Sequence, residues 1–158
     1  MSTSTSAVPA IEGWFTTDDE PHLLGTRCSA CGTFFFPREE VFCRNPTCSS
    51  TDLPEVRLSR TGKVWSYTNA GYKPPEPYVA TTDPFEPFAI AAVHLLEEDM
   101  VILGQVADGY GVDDLKVGDE VELVVETLFS EDGVDQLTWR WKPTGAAAAG
   151  SDSEGGAA

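Results

Sequence analysis

The chain has 158 residues, room for one ordinary domain or a small domain beside a miniature one, so a packed core is available without help from a metal. Its formal net charge of −16, from 26 acidic against 10 basic side chains, repels phosphate backbones and anionic headgroups and argues against nucleic acid and membrane surfaces as partners. No stretch approaches the roughly 20 apolar residues of a membrane span, and the N-terminus has neither a basic nor an apolar signal region, so a cytoplasmic protein is expected.

Residues 1–21 read as an N-terminal arm. A polar leader, MSTSTSAVPA, precedes IEGWFTTDDEPHLLGTR, where Trp14, Phe15, Leu23 and Leu24 need burial and the Thr-Asp-Asp-Glu run predicts the start of a short helix. Residues 22–54 contain all four cysteines: Cys28-x2-Cys31, eleven intervening residues, then Cys43-x4-Cys48. In a reducing compartment such a cluster reads as metal ligands rather than disulfides. Two knuckles closing on one tetrahedral ion suit zinc, and Gly32 lets backbone amides turn toward the sulfurs. Iron in a rubredoxin-type centre is the competing metal, which the wider second knuckle disfavours. Four thiolates leave no open coordination position, so the expected zinc is structural.

Phe34, Phe35 and Phe36 follow the first knuckle. On a short strand one ring points into the ribbon and its neighbours point away, so they pack on the adjoining domain or meet another protein.

Residues 55–143 read almost wholly as strand. GKVWSYTNAGY supplies the first, with Trp65 and Tyr67 beside Val64. FAIAAVHLL and MVILGQVAD are apolar on both alternating faces and are joined by a tight turn, which predicts antiparallel strands covered on both sides. GVDDLKVGDEV places a short turn or helix before EVELVVETLF, where Val121, Leu123, Val125 and Phe129 oppose Glu120, Glu122 and Glu126. QLTWRWK then sets Leu137, Trp139 and Trp141 against Thr138, Arg140 and Lys142. Five strands with that insertion between the third and fourth predict a small Greek-key barrel of the OB type. The fold class expected is therefore mainly β: a zinc ribbon followed by a five-stranded OB barrel.

Between the first two barrel strands, Thr68 to Phe88 carries five prolines, two tyrosines and two phenylalanines. Proline stiffening presents these aromatics at little ordering cost, either to a partner or to the barrel's own strands. Residues 144–158 are small and polar and read as a disordered tail.

Equipment for catalysis is sparse. His22 and His94 read as structural, no cysteine is free to act as a nucleophile, and neither a G-x-S-x-G elbow nor a glycine-rich phosphate loop occurs. The apolar surface, by contrast, exceeds what one small barrel can enclose, which points to docking. Contact candidates are Phe34, Phe36, Trp65, Tyr67 and Tyr72, together with Arg60, Lys63 and Lys73, which with Arg57 read either as scattered solvated bases, the favoured reading, or as a local basic group for the phosphates of coenzyme A. Trp65, Tyr67 and Tyr72 would also suit base stacking in a single-strand nucleic-acid groove, but such grooves are electropositive and this chain is not.

HLLGTRCSACGTFFFPREEVFC, followed by TGKVWSYT, PFAIAAVHL and LKVGDEVEL, resembles the bacterial and archaeal family that joins an N-terminal rubredoxin-like zinc ribbon to an OB-fold. Its members are acyl-CoA-associated partners of thiolase-like enzymes. The likeness runs from Ile11 to Pro143, and EGWFTT, FPREE, FCRNP and LSRTGKVWSYTNAGY resemble in particular the form found in actinobacterial steroid side-chain degradation. The resemblance implies Cys28, Cys31, Cys43 and Cys48 as the metal positions. It also implies a non-catalytic accessory subunit of a lipid-transfer-protein-type thiolase homologue, the retro-aldolase acting on a steroidal 17-hydroxy acyl-CoA thioester. A two-plus-two heterotetramer with the thioester at or near the interface is the matching assembly. No hydratase domain precedes the ribbon, so the chain is expected to be a stand-alone subunit or part of a fusion. A self-contained acyl-CoA-binding OB module is the alternative.

Overall fold

A computed structural model of the chain describes residues 6–144, so the tail expected over 144–158 lies, apart from Thr144, outside the described residues. The strands are β1 (Ser6–Pro9), β2 (Leu24–Arg27), β3 (Phe34–Phe35), β4 (Glu55–Arg57), β5 (Thr61–Ala70), β6 (Phe88–Leu95), β7 (Met100–Val106), β8 (Glu120–Glu131) and β9 (Val134–Pro143), with a 3-10 turn at Val112–Asp114.

The last five strands close a barrel in the order β5-β6-β7-β9-β8 and back to β5. All neighbours are antiparallel except β7 and β9, which run parallel through Gln105 opposite Arg140 and Val106 opposite Trp141. That single parallel pair and the turn between the third and fourth strands give the OB topology. The barrel closes where β5 changes partners: Gly62 faces Val121 of β8, and the next residue, Lys63, faces both Glu120 of β8 and His94 of β6. A Cβ on Gly62 would lie 2.6 Å from a methyl of Val93 and 2.7 Å from the His94 carbonyl, so only glycine permits this corner.

Alternation sorts the interior. Ala89, Ala91, Val93 and Leu95 of β6, Ile102 and Val106 of β7, Val121 and Leu123 of β8, and Trp141 of β9 are all buried, with Val64 and Leu115 beside them. Gly104 makes room for the indoles: its Cβ would meet Trp141 at 2.9 Å and Trp139 at 3.0 Å. In β8 the alternation slips at Leu128, where a bulge inserts one residue between Thr127 and Phe129.

The expected covering of both faces fails for β7. Its outward side chains Val101 and Leu103 stand 43% and 64% exposed, because none of the described residues packs over them on that side of the sheet. The inward face alone belongs to the core.

The short N-terminal helix is also absent. Ser6–Pro9 is a strand that pairs parallel with Val134–Leu137 of β9, and Phe15 bridges Leu23 in an antiparallel pair. The amide of Thr16 donates to the His22 carbonyl, and the His22 amide donates to the Thr16 hydroxyl, so the acidic run lies in a turn rather than at a helix start. Burial of Phe15 and Leu23 together outweighs the local helix signal.

The ribbon is a three-stranded antiparallel sheet, β3-β2-β4, that seals one end of the barrel. Leu23, Leu58 and Phe15 join the barrel core, and Trp14, Phe36 and Trp139 form an aromatic cluster with centroids 5.5 to 6.0 Å apart. Arg60 fastens the arm to the barrel, donating from Nε to the Pro21 carbonyl and from Nη2 to the Leu123 carbonyl. His22 donates from Nδ1 to the Leu58 carbonyl at 2.8 Å.

The proline-rich loop from Gly71 to Pro87 folds on its own aromatics. Tyr78 stacks on Phe88 at 6.1 Å and Phe85 meets both edge-on, while Tyr72 is left 77% exposed.

Candidate metal centre and contact residues

Cys28 sits immediately after β2, and the chain reverses at once: the Gly32 amide donates to the Cys28 carbonyl, and the Cys28 amide donates to the Thr33 carbonyl. Gly32 makes that reversal with φ +78, a region glycine enters without steric cost. The second knuckle, Cys43 to Cys48, is held by the Cys48 amide on the Asn45 carbonyl. Its extra length is an Asx turn, with Asn45 Oδ1 accepting from both the amide and the hydroxyl of Thr47.

The four sulfurs lie within 4.8 Å of one another. Cys28 and Cys48 are 3.8 Å apart and Cys31 and Cys43 are 3.5 Å apart. Four thiolates at roughly 2.3 Å from a tetrahedral ion stand about 3.8 Å apart, whereas a disulfide needs about 2.05 Å. The geometry therefore fits a tetrathiolate zinc, all four ligands come from the protein, and the metal is structural.

Electrostatics at the cluster is uneven. The Thr33 hydroxyl and amide bring the Cys31 thiol down to about 6, and the Cys31 amide lowers Cys28. Burial pushes Cys43 up to about 12. Cys48 is raised too, because the lowering by the Ser50 amide is outweighed by burial and the neighbouring thiols, so two thiols are poised to ionise and two are opposed, a cost that a bound divalent cation offsets. Next to the cluster, Glu39 pairs with Arg44 at 2.6 Å and accepts from the amides of Glu40 and Val41. The Val41 amide, then Arg44, hold its carboxyl below the usual range.

The contact candidates are scattered. Phe34 lies under the Arg27 guanidinium at 5.1 Å, half-buried against the core, and Phe36 belongs to the aromatic cluster. Trp65, Tyr67 and Tyr72 are exposed. The basic group is not assembled: Arg60, Lys63 and Lys73 line three different recesses. Arg60 is committed to backbone carbonyls, Arg57 lies 3.6 Å from Asp18, and Lys63 lies 4.0 Å from Glu120. His94 pairs with Asp99 at 2.9 Å on the surface.

Two features escaped the sequence reading. Arg140, 6% exposed, is clamped by Asp108 and by Glu126 at 3.2 Å; its outward strand parity gave no sign of this burial. The second is the bare row of Val101 and Leu103 described above, for which the doubly apolar strand was itself the signal.

Residues 18–54 match the domain described as "ChsH2, rubredoxin-like zinc ribbon domain", and residues 55–126 match "ChsH2, C-terminal OB-fold domain". A DUF35 domain-containing scaffold protein of Methanocaldococcus jannaschii is 34% identical over 139 residues, covering 84% of this chain and 89% of that protein. The benzoylsuccinyl-CoA thiolase subunit BbsA of Thauera aromatica is 28% identical over 123 residues, 77% of this chain and 76% of its own length. Among solved structures, a chain of the Ltp2-ChsH2(DUF35) aldolase superposes with a TM-score of 0.55 at 28% identity, covering 77% of this chain and 84% of that one. With its ribbon and barrel both matched and a relative 34% identical over most of its length, the chain belongs to the DUF35 family of ChsH2-type proteins, in which a rubredoxin-like zinc ribbon precedes an OB-fold.

Proposed function

We propose that this chain is a non-catalytic accessory subunit of a thiolase-like acyl-CoA enzyme. The observation that carries the reading is its likeness, over most of its length, to proteins whose names place them beside such enzymes: a thiolase subunit and the chain that pairs with Ltp2 in an aldolase. The site agrees with it. A closed zinc centre performs no Lewis-acid step, both histidines are engaged in structural or surface pairs, and apolar side chains remain uncovered on the barrel.

In the finer form of this proposal the partner is a retro-aldolase acting on a steroidal 17-hydroxy acyl-CoA thioester, in a two-plus-two assembly with the thioester near the interface. EGWFTT, FPREE and FCRNP support that form through their likeness to the steroid-type members. The partner's base removes the hydroxyl proton, the carbon–carbon bond to the α-carbon of the thioester breaks, and the resulting enolate is reprotonated, giving a ketone and a shortened thioester. This chain supplies no group to that step; it shapes the assembly.

The test is an assay of the thiolase-like chain with and without this protein on such a thioester. Cleavage by the mixture and little by either component is expected. Equal rates from the catalytic chain alone would overturn the accessory role, and cleavage confined to non-steroidal thioesters would overturn only the finer form.

A further inference from the structure

The outward faces of the barrel are not alike. On β8 and β9 the outward row is charged, with Glu120, Glu122 and Lys142. On β5, β6 and β7 it is uncharged at the centre, small on two strands and apolar on the third: Ser66 faces Ala92, and Ala92 faces Leu103. The β5 bulge between Val64 and Ser66 leaves Trp65 opposite no partner of its own, and its indole stands 63% exposed. The adjoining row is Lys63, His94 and Val101, and the row on the other side is Thr68, Ile90 and Gln105. Two large apolar side chains thus flank two small ones, with Val101 and Ile90 extending the apolar area and Lys63, His94, Thr68 and Gln105 at its edge. That is the anatomy of an anchored interface: an aromatic and an aliphatic knob at the centre, a shallow floor, and a polar rim that excludes water.

We infer that this face, centred on Trp65 and Leu103, is where the catalytic chain docks, an inference that rests on the accessory role proposed above. Charge decides against a second copy of this chain as the occupant. Each copy carries −16 overall, and the turn beside the patch holds Glu97 and Asp99, so two such faces repel. The fitting occupant is a different protein with an apolar recess edged by lysine or arginine, which the net charge of this chain and the turn carrying Glu97 and Asp99 attract.

The experiment is a binding titration against the purified thiolase-like chain of the same organism, with wild type, Trp65→Ala, Leu103→Asp and, as a control on the ribbon, Val41→Asp. Zinc content and circular dichroism verify each fold. Trp65→Ala and Leu103→Asp are expected to weaken binding by at least about tenfold, as truncation of a central anchor does, and Val41→Asp by less than about twofold. Patch variants that bind like wild type would overturn the location and leave the accessory role standing. A wild type that does not bind would overturn both. A second measurement uses only a conservative change: iodide quenching of the Trp65 fluorescence, read as the difference between wild type and Trp65→Phe, is expected to fall on binding. Unchanged quenching in a formed complex would also overturn the location.

Discussion

Arg140 and Gly62 show how narrowly single positions hold this barrel. Arg140 is buried among β-strand neighbours, and its charge is compensated by Asp108, which is largely in water, and Glu126, which is not. Removing the guanidinium leaves Glu126 half-buried without its cation, while Asp108 simply returns to solvent. Arg140→Ala is therefore expected to cost about 2–4 kcal/mol, near the lower end for breaking a buried pair, with Arg140→Met recovering part of it through packing. Urea melts of the two variants check this; equal losses would show that packing of the stem contributes little and that the loss is one of charge pairing. Gly62→Ala meets a methyl at 2.6 Å and a backbone carbonyl at 2.7 Å. The carbonyl cannot move without breaking the β5–β6 ladder, so a loss of about 1–3 kcal/mol is expected. Gly71→Ala, with nothing within 4 Å, is the matched control and should be neutral in the same melts. Neither position was legible beforehand. Arg140 sits on the side of β9 that alternation assigns to solvent, and Gly62 reads as an ordinary residue in a strand until the corner is seen.

The ribbon is the element whose folding depends on something outside the polypeptide. Its strands are two to four residues long and bury little by themselves, so zinc binding, worth roughly 10–16 kcal/mol at such sites, is what orders it. Cys43→Ser or exhaustive chelation is expected to remove the metal and free the end of the barrel that Phe36 and Trp14 cover. The reporter is Trp139, whose emission should shift to the red and become quenchable when that cluster opens. A chelated protein with unchanged emission would show that the cap stands without zinc. Acid should act in the same direction. Glu39 has its carboxyl held below the usual range, so its contribution is complete above the ordinary carboxylate pKa and is lost as pH falls through the lowered folded value. Protons also compete with the metal for the thiolates. Glu39→Gln should flatten the carboxylate part of this acid transition without altering zinc content at neutral pH. Much of the ribbon was readable because ligand spacing is a local property. The helix expected in the arm was not, since Phe15 and Leu23 find each other across the turn and their joint burial outweighs the acidic start signal. The triple phenylalanine was likewise undecided by sequence: Phe36 meets Trp139 only because the barrel returns its last strand to the ribbon.

At the scale of the whole molecule, alternation and the position of the turn before β8 were enough to derive an OB barrel, because each strand's pattern is short-range and the topology has few alternatives. What alternation could not say is whether a doubly apolar strand is covered by its own chain or by another. In β7 the described residues cover one face and leave Val101 and Leu103 exposed. The surplus of apolar surface was legible as a quantity, its location was not. The charge of −16 then sets the kinetics of the proposed assembly. An acidic molecule approaching a basic-edged recess is steered over the last Debye length, and this raises the rate of encounter more than it strengthens the final contact. Stopped-flow association with the thiolase-like chain should therefore slow by about tenfold or more between 0.05 and 0.5 M salt, the range over which such steering is screened. The dissociation rate should change far less, because Trp65 and Leu103 hold the complex through apolar burial that salt does not screen. Slowing confined to dissociation would mean that charged pairs, not the apolar centre, hold the interface, and an association rate indifferent to salt would mean that the acidic surface serves solubility alone.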